Sequence, residues 1–331
     1  MPKARPVDAG AESSLERRVQ VVSGKGGVGR TTVAAALALR CARQGAKTLL
    51  LEVDAPDSAT RLLGFEPARD EPREVIDHLW CCNMTPAGSV REYALMVLRF
   101  KALYRVVFEN RLVKYLLRSI PSLGEFTMAG KFWFHTVQTL DGVPRFDRVI
   151  LDAPATGHAI TFLAVSRVVA ELTPPGPMKT EASKMAAMIE DPKNTCMHVV
   201  ARPEEMPVNE ALELEQAAVE RVGIALGLGF LNRVEADPFT PQQADLVRRL
   251  SESHPEHPIL HIARLRCSRQ ARSEREAERL RSNSRMEWLE LPDLPEAPRG
   301  KDGLRELNDA LDRQLGAAEG PARNAGGAAG G

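Results

Sequence analysis

Ser23 to Thr32 read SGKGGVGRTT, between the apolar run Val19-Gln20-Val21-Val22 and a helix-forming run from Val33 to Arg43. Glycines at 24, 26, 27 and 29 permit positive φ, so successive backbone N–H groups curl around an anion. The helix that follows adds its positive N-terminal end. Gly24, Gly29 and Thr31 fit the phosphate-binding pattern G-x-x-x-x-G-K-[ST], with Val28 inside the loop and Thr32 just after it. The pattern's lysine is replaced by Arg30, and a second cation, Lys25, follows the first glycine. A guanidinium is a broad planar fork, whereas the lysine it replaces is a compact point charge, so turnover is expected to suffer more than binding.

The loop needs elements to hold it. Apolar runs recur at Val19–Val22, Thr48–Val53, Leu79–Met84, Arg148–Leu151, Thr195–Val200, Ile224–Leu231 and Pro258–Ile262, most of them separated by helical patterns. Runs apolar on both faces that alternate with helices predict an α/β fold with a mostly parallel sheet covered on both sides. Such a sheet binds ligands at the carboxyl ends of its strands. The glycine loop follows the first run, Asp54 ends the second and Asp152 ends the fourth, so three polar features converge there.

The stretch from about 89 to 140 breaks the alternation and reads as an inserted helical subdomain. Tyr93, Met96, Val97, Phe100, Tyr104, Val107, Phe108, Leu112, Tyr115, Leu116 and Ile120 recur at helical steps of three and four. A second helix, Thr180 to Glu190, sets Met185, Met188 and Ile189 on one face, suited either to a hydrophobic partner or to core packing. Residues 1–17 and the Gly/Ala-rich 316–331 are small and polar enough to be disordered, flanking one domain over 18–315.

The chain has 331 residues, 44% of them apolar, and 44 basic side chains balance 44 acidic ones. Neutrality argues against a nucleic-acid partner. With no apolar run of about 18 residues and no signal-peptide core, a cytoplasmic location is expected. The cysteines, at 41, 81, 82, 196 and 267, show no zinc spacing. Cys81 and Cys82 are neighbours in a strand-like run, so they point to opposite faces and cannot easily share a metal.

Around Lys25 the segment K-G-G-V-G resembles the deviant Walker A motif of dimeric P-loop NTPases, where this early lysine reaches the partner's nucleotide. Leu151 to Ala159, LDAPATGHA, resembles the D-T-A-P-T-G-H switch II signature of the ArsA family, with Asp152, Thr156, Gly157 and His158 in register. Glu52 to Ser58 resembles that family's switch I, with Asp54 in place and Asp57 where the family has histidine. Further matches follow at Asp191-Pro192, Arg202 to Pro207, Phe230 to Val234 and Leu291-Pro292.

The resemblance implies ATP and Mg²⁺ as ligands. Thr31 and, through water, Asp152 would hold the metal, while Lys25 and Arg30 would neutralise phosphate charge. Asp54 would orient the attacking water, Gly157 would sense the γ-phosphate, Asn232 would read the adenine edge, and Pro203 with Glu204 would flank the base. It further implies a homodimer, or a heterodimer with a paralogous ATPase, whose closure reshapes a hydrophobic surface for a client such as a membrane-protein segment. Arg30 and Asp57 leave open a weakly hydrolysing regulatory subunit beside an active paralogue. Without a thiolate cluster for a metalloid, arsenite pumping is disfavoured, as is ParA-like partitioning.

Overall fold

A computed structural model describes residues 11–55, 58–98, 123–235, 239–294 and 300–318. In chain order the elements are α1 (Ala11–Leu15), β1 (Val19–Gly24), α2 (Arg30–Arg43), β2 (Thr48–Val53), α3 (Ser58–Leu62), β3 (Arg73–Ile76), β4 (Leu79–Met84) and α4 (Pro86–Leu98). After the undescribed part of the insert come α5 (Leu123–Val137), the two-residue strands β5 (Thr139–Leu140) and β6 (Val143–Pro144), β7 (Arg148–Asp152), α6 (Thr156–Leu172) and α7 (Pro177–Glu190). The chain continues through β8 (Thr195–Ala201), α8 (Glu205–Ala217), β9 (Leu226–Val234), α9 (Pro241–Ser253), α10 (Pro258–Asn283), β10 (Trp288–Pro292) and α11 (Lys301–Ala318).

The main sheet runs β10-β9-β8-β1-β7-β2-β4-β3, and every neighbouring pair is parallel except β3 with β4. β1 therefore sits between β7 and β8, where the direction of chain progression reverses and a crevice opens at the carboxyl ends. Period-two alternation divides the core. Val19, Val21, Leu49, Leu51, Val149, Leu151, Met197 and Val199 face one side, while Val22, Leu50, Ile150, Val200 and Phe230 face the other. Cys82 falls in the first set and Cys81 in the second, as neighbouring strand residues must. Helix α2 is alanine-rich over Ala34 to Ala38 and comes close to the sheet, burying Val33, Leu37 and Leu39, each worth about 1.5–3 kcal/mol.

Several expectations change. Pro258–Ile262 is the first turn and a half of α10, not a strand: proline suits N1 of a helix, and a short apolar run carries too few residues to fix its period. The strand at that sheet edge is β10, thirty residues on. Of the two readings of the α7 face, core packing is the one that holds: Met185 and Ile189 are buried and Met188 packs against the same core. The chain is ordered earlier than expected, because α1 puts Leu15 into the core and its carbonyl accepts from Gln20 Nε2 at 2.7 Å. The stripe from Phe100 to Ile120, Asp57 and most of both termini lie outside the described residues.

The described ends of the insert are anchored to the sheet. Lys131 of α5, 6% exposed, donates to the Asp70 carbonyl and pairs with Glu92 of α4 at 2.8 Å. The Asp70 carboxylate in turn accepts from the Thr85 amide at 3.1 Å. This ties α4 and α5 to the segment that follows β2 and α3.

Candidate nucleotide site

The loop from Gly24 to Arg30 leaves β1 and enters α2 with Gly27 at φ 87° and Gly29 at φ 95°. A side chain at Gly24 would set its Cβ 2.2 Å from the Val200 carbonyl, so only glycine lets β1 and β8 approach there. Gly26 and Gly27 are exposed and a Cβ on either meets nothing within 4 Å; their backbone faces open space. Val28 is buried beneath the loop, and Thr32 is half-buried in the first turn of α2.

Asn232, at the end of β9 and 5% exposed, donates from Nδ2 to the Val28 carbonyl at 2.8 Å. A Cβ at Gly29 would stand 2.3 Å from that nitrogen. The side chain expected at the adenine edge thus has a partner in the loop itself. Pro203 is buried and Glu204 exposed just before α8, where Glu204 pairs with Arg202 at 2.7 Å.

Side chains of the loop join it to the strand end of β7. Thr31 Oγ1 donates to Asp152 Oδ2 at 2.6 Å. Arg30 donates to the Ala153 carbonyl, and Ser23 Oγ donates to the Pro154 carbonyl at 3.0 Å. Burial lowers the Arg30 pKa, and the Asp152 charge opposes that shift. Asp152 is 6% exposed and its Oδ1 is buried with no hydrogen-bond partner. Burial raises its pKa, against the pull of Thr31 and then of Arg30. A buried carboxylate with an orphaned oxygen beside a threonine hydroxyl is the donor set of a hard divalent cation, so the residues present fit Mg²⁺.

Lys25 pairs within the chain with Glu210 Oε1 of α8. The second oxygen of Glu210 accepts from Thr156 Oγ1 at 3.4 Å. Glu210 therefore bridges the loop to the start of α6, where Gly157 and His158 are exposed. Asp54 follows β2 with φ 47°; its amide donates to the Met84 carbonyl at 2.8 Å, and its exposed side chain has no partner among the described residues. It does not cap α3: Glu52 Oε1 accepts from the Ala59 amide at 2.8 Å. Asn83 of β4 grips the adjoining residue, accepting from the Ala55 amide at 3.3 Å and donating to the Ala55 carbonyl.

Sequence reasoning missed Ser23, Asn83 and Glu210. Their partners lie 131, 28 and 185 residues away, and no local spacing encodes such contacts. The one available signal was for Glu210, which stands just beyond the Arg202 to Pro207 match.

The chain is similar in sequence to several known proteins. The profile of a family described as anion-transporting ATPase matches residues 17–174, from β1 through the insert to the end of α6. The chain is 28% identical over 321 residues to the ATPase BagA of Mycobacterium tuberculosis, covering 90% of this chain and 93% of that one. The arsenical pump-driving ATPase of Escherichia coli is 29% identical over 210 residues, 63% of this chain and 33% of its own. The ATPase GET3 of Kluyveromyces lactis is 26% identical over 168 residues, 48% of each chain.

Proposed function

We propose that the chain is a member of the ArsA family of anion-transporting ATPases, whose profile it matches over residues 17–174, and that it is a cytoplasmic, Mg²⁺-dependent ATPase that works as a dimer and turns nucleotide state into movement of the helices around its insert. The observation that carries this reading is the Thr31 hydroxyl on the buried Asp152 carboxylate, beneath a glycine loop at the carboxyl end of β1. Mg²⁺ held by Thr31 and Asp152 would supply charge neutralisation for the phosphates.

Around it each residue has a task. Gly26, Gly27 and Gly29 present backbone N–H groups to phosphate, and Lys25 and Arg30 add positive charge. Asp54, held out by the Asn83 grip on Ala55, orients the attacking water. Arg30 and Ser23 hold the carbonyls of Ala153 and Pro154, so a shift of the loop is felt directly at the start of α6, with Gly157 at its head. Helix α6 packs against α5 and α7, which extends the movement to the insert. The exposed apolar side chains Phe134 and Val137 of α5 are the described part of the surface that we assign to a hydrophobic client. Asn232 is proposed to set the loop, with any contact to adenine made beside that role.

One observation favours a second reading, a regulatory subunit that binds ATP with little turnover: the Arg30 guanidinium, in the lysine's place, is bonded to the Ala153 carbonyl. ATP binding and turnover measured in parallel for the wild type, Arg30→Lys and Asp54→Asn separate the two. Turnover that vanishes in Asp54→Asn while binding survives supports the ATPase. Binding without turnover, with turnover gained in Arg30→Lys, supports the regulatory subunit. Failure of the wild type to bind ATP at all refutes both.

A further inference from the structure

Helices α9 and α10 form an antiparallel hairpin that stands away from the core. Only Ser251 of α9, and Ala277 and Leu280 near the far end of α10, are buried. The two helices meet through Ala244, Val247 and Ser251 on one side and Leu260, Ala263 and Cys267 on the other, with Ser251 Oγ donating to the Leu260 carbonyl at 3.3 Å. Helical steps measured from that contact line set Leu246 and Leu250 of α9 on the same side of the hairpin as Ile259, Ile262, Arg266 and Arg269 of α10. These large apolar side chains are open: Leu246 is 48% exposed, Ile259 70% and Ile262 61%. Leu265, beside them, is 56% exposed.

The charge of the hairpin is as unusual as its apolarity. Residues 240–273 hold six arginines against three carboxylates, in a chain whose basic and acidic side chains balance overall at 44 each. The hairpin is thus locally basic, and the rest of the chain holds 38 basic against 41 acidic side chains. On the apolar side Arg266 and Arg269 share one carboxylate, Glu235, 3.8 Å from each, so two guanidinium groups there face a single acid. Asp245 and Glu252 of α9 are engaged with Arg248 and Arg249.

We propose that this face is a docking surface for the anionic headgroup layer of a phospholipid bilayer, with Leu246, Leu250, Ile259 and Ile262 entering the interface and Arg266 and Arg269 meeting lipid phosphate. Exposed apolar side chains at the tip of a helix, with arginines following along the same face, suit a surface that is apolar below and negative above.

Flotation of the full-length protein with vesicles tests this, comparing pure phosphatidylcholine with phosphatidylcholine containing phosphatidylglycerol. Binding to the anionic vesicles alone, weakening with salt, is expected. Ile259→Asp with Ile262→Asp, and separately Arg266→Glu with Arg269→Glu, should each reduce it about tenfold or more, since each basic residue near such a surface contributes about 1 kcal/mol. All four side chains are exposed, so melting temperatures should match the wild type. Equal binding to both vesicle types, no binding to either, or retained binding in both double variants overturns the proposal. So does a dimer that the Ile259→Asp, Ile262→Asp variant dissolves, which reassigns the face to a second copy.

Discussion

Asp152→Asn separates fold from function because it should move them in opposite directions. In the wild type the carboxylate is 6% exposed, with one oxygen held by Thr31 and the other without a partner. An unsatisfied buried polar group costs about 1–3 kcal/mol. Asparagine keeps the shape, can donate to the Thr31 oxygen and removes the charge, though it leaves one amide group unpaired. The lower end of the range is therefore expected as a gain, about 1 kcal/mol, or roughly 2 °C for a chain of this size. The gain depends on pH. Because burial raises the folded pKa of Asp152, the folded state binds more protons than the unfolded one between the two values, and wild-type stability falls as pH rises through that window. The advantage of Asp152→Asn should grow with pH and level off above the folded value. Mg²⁺ reverses the order: with Mg·ATP at about a hundred times its dissociation constant, the wild type should gain about 2.7 kcal/mol, and the variant far less. Scanning calorimetry across pH, with and without Mg·ATP, reads all of this. A variant that loses about 3 kcal/mol or more without ligand, the upper end of that range, or that keeps the full Mg·ATP shift, refutes the assignment of Asp152 to the metal.

Two further outcomes follow from the same geometry. Gly29→Ala places a Cβ at φ 95° and 2.3 Å from Asn232 Nδ2, so it should cost at least about 1–2 kcal/mol and lower ATP affinity; isothermal titration showing wild-type affinity would refute the tight loop packing. Burial lowers the pKa of His198 and of His135 to about 4, with the charges of Lys131 and Arg145 adding to the effect at His135. Both enter the fold neutral, so the unfolded state takes up more protons between about pH 6.5 and 4, and stability must fall as pH drops across that window. Each histidine should contribute a loss of roughly 1.4 kcal/mol for every pH unit that the window spans. Urea denaturation that is flat from about pH 7 to about pH 4.5 would contradict this.

Much of the fold could be read from the residues. The continuous apolar runs from Val19, Thr48, Leu79, Arg148, Thr195 and Ile224 are local patterns with a local cause, and they became β1, β2, β4, β7, β8 and β9. The resemblance to a family was legible for a similar reason, because the glycine loop from Ser23 to Thr32 and the segment from Leu151 to Ala159 are each a short contiguous run of residues. Periodicity could not say what lay opposite a pattern. The methionine face of α7 has the spacing of a groove and the burial of a core, and Ile259 and Ile262 have the composition of a strand and the exposure of a protruding helix.

The sequence by itself therefore determined the alternation of the sheet, the glycine loop and which acids end its strands, since each depends on neighbours within a few residues. Tertiary structure alone decided that Arg30 reaches the Ala153 carbonyl, that Glu210 joins Lys25 to Thr156, that Asn232 holds Val28, and that α9 and α10 leave the core as a basic hairpin. These contacts span tens to hundreds of residues. Their partners are chosen by strand order and helix packing, which no local spacing contains.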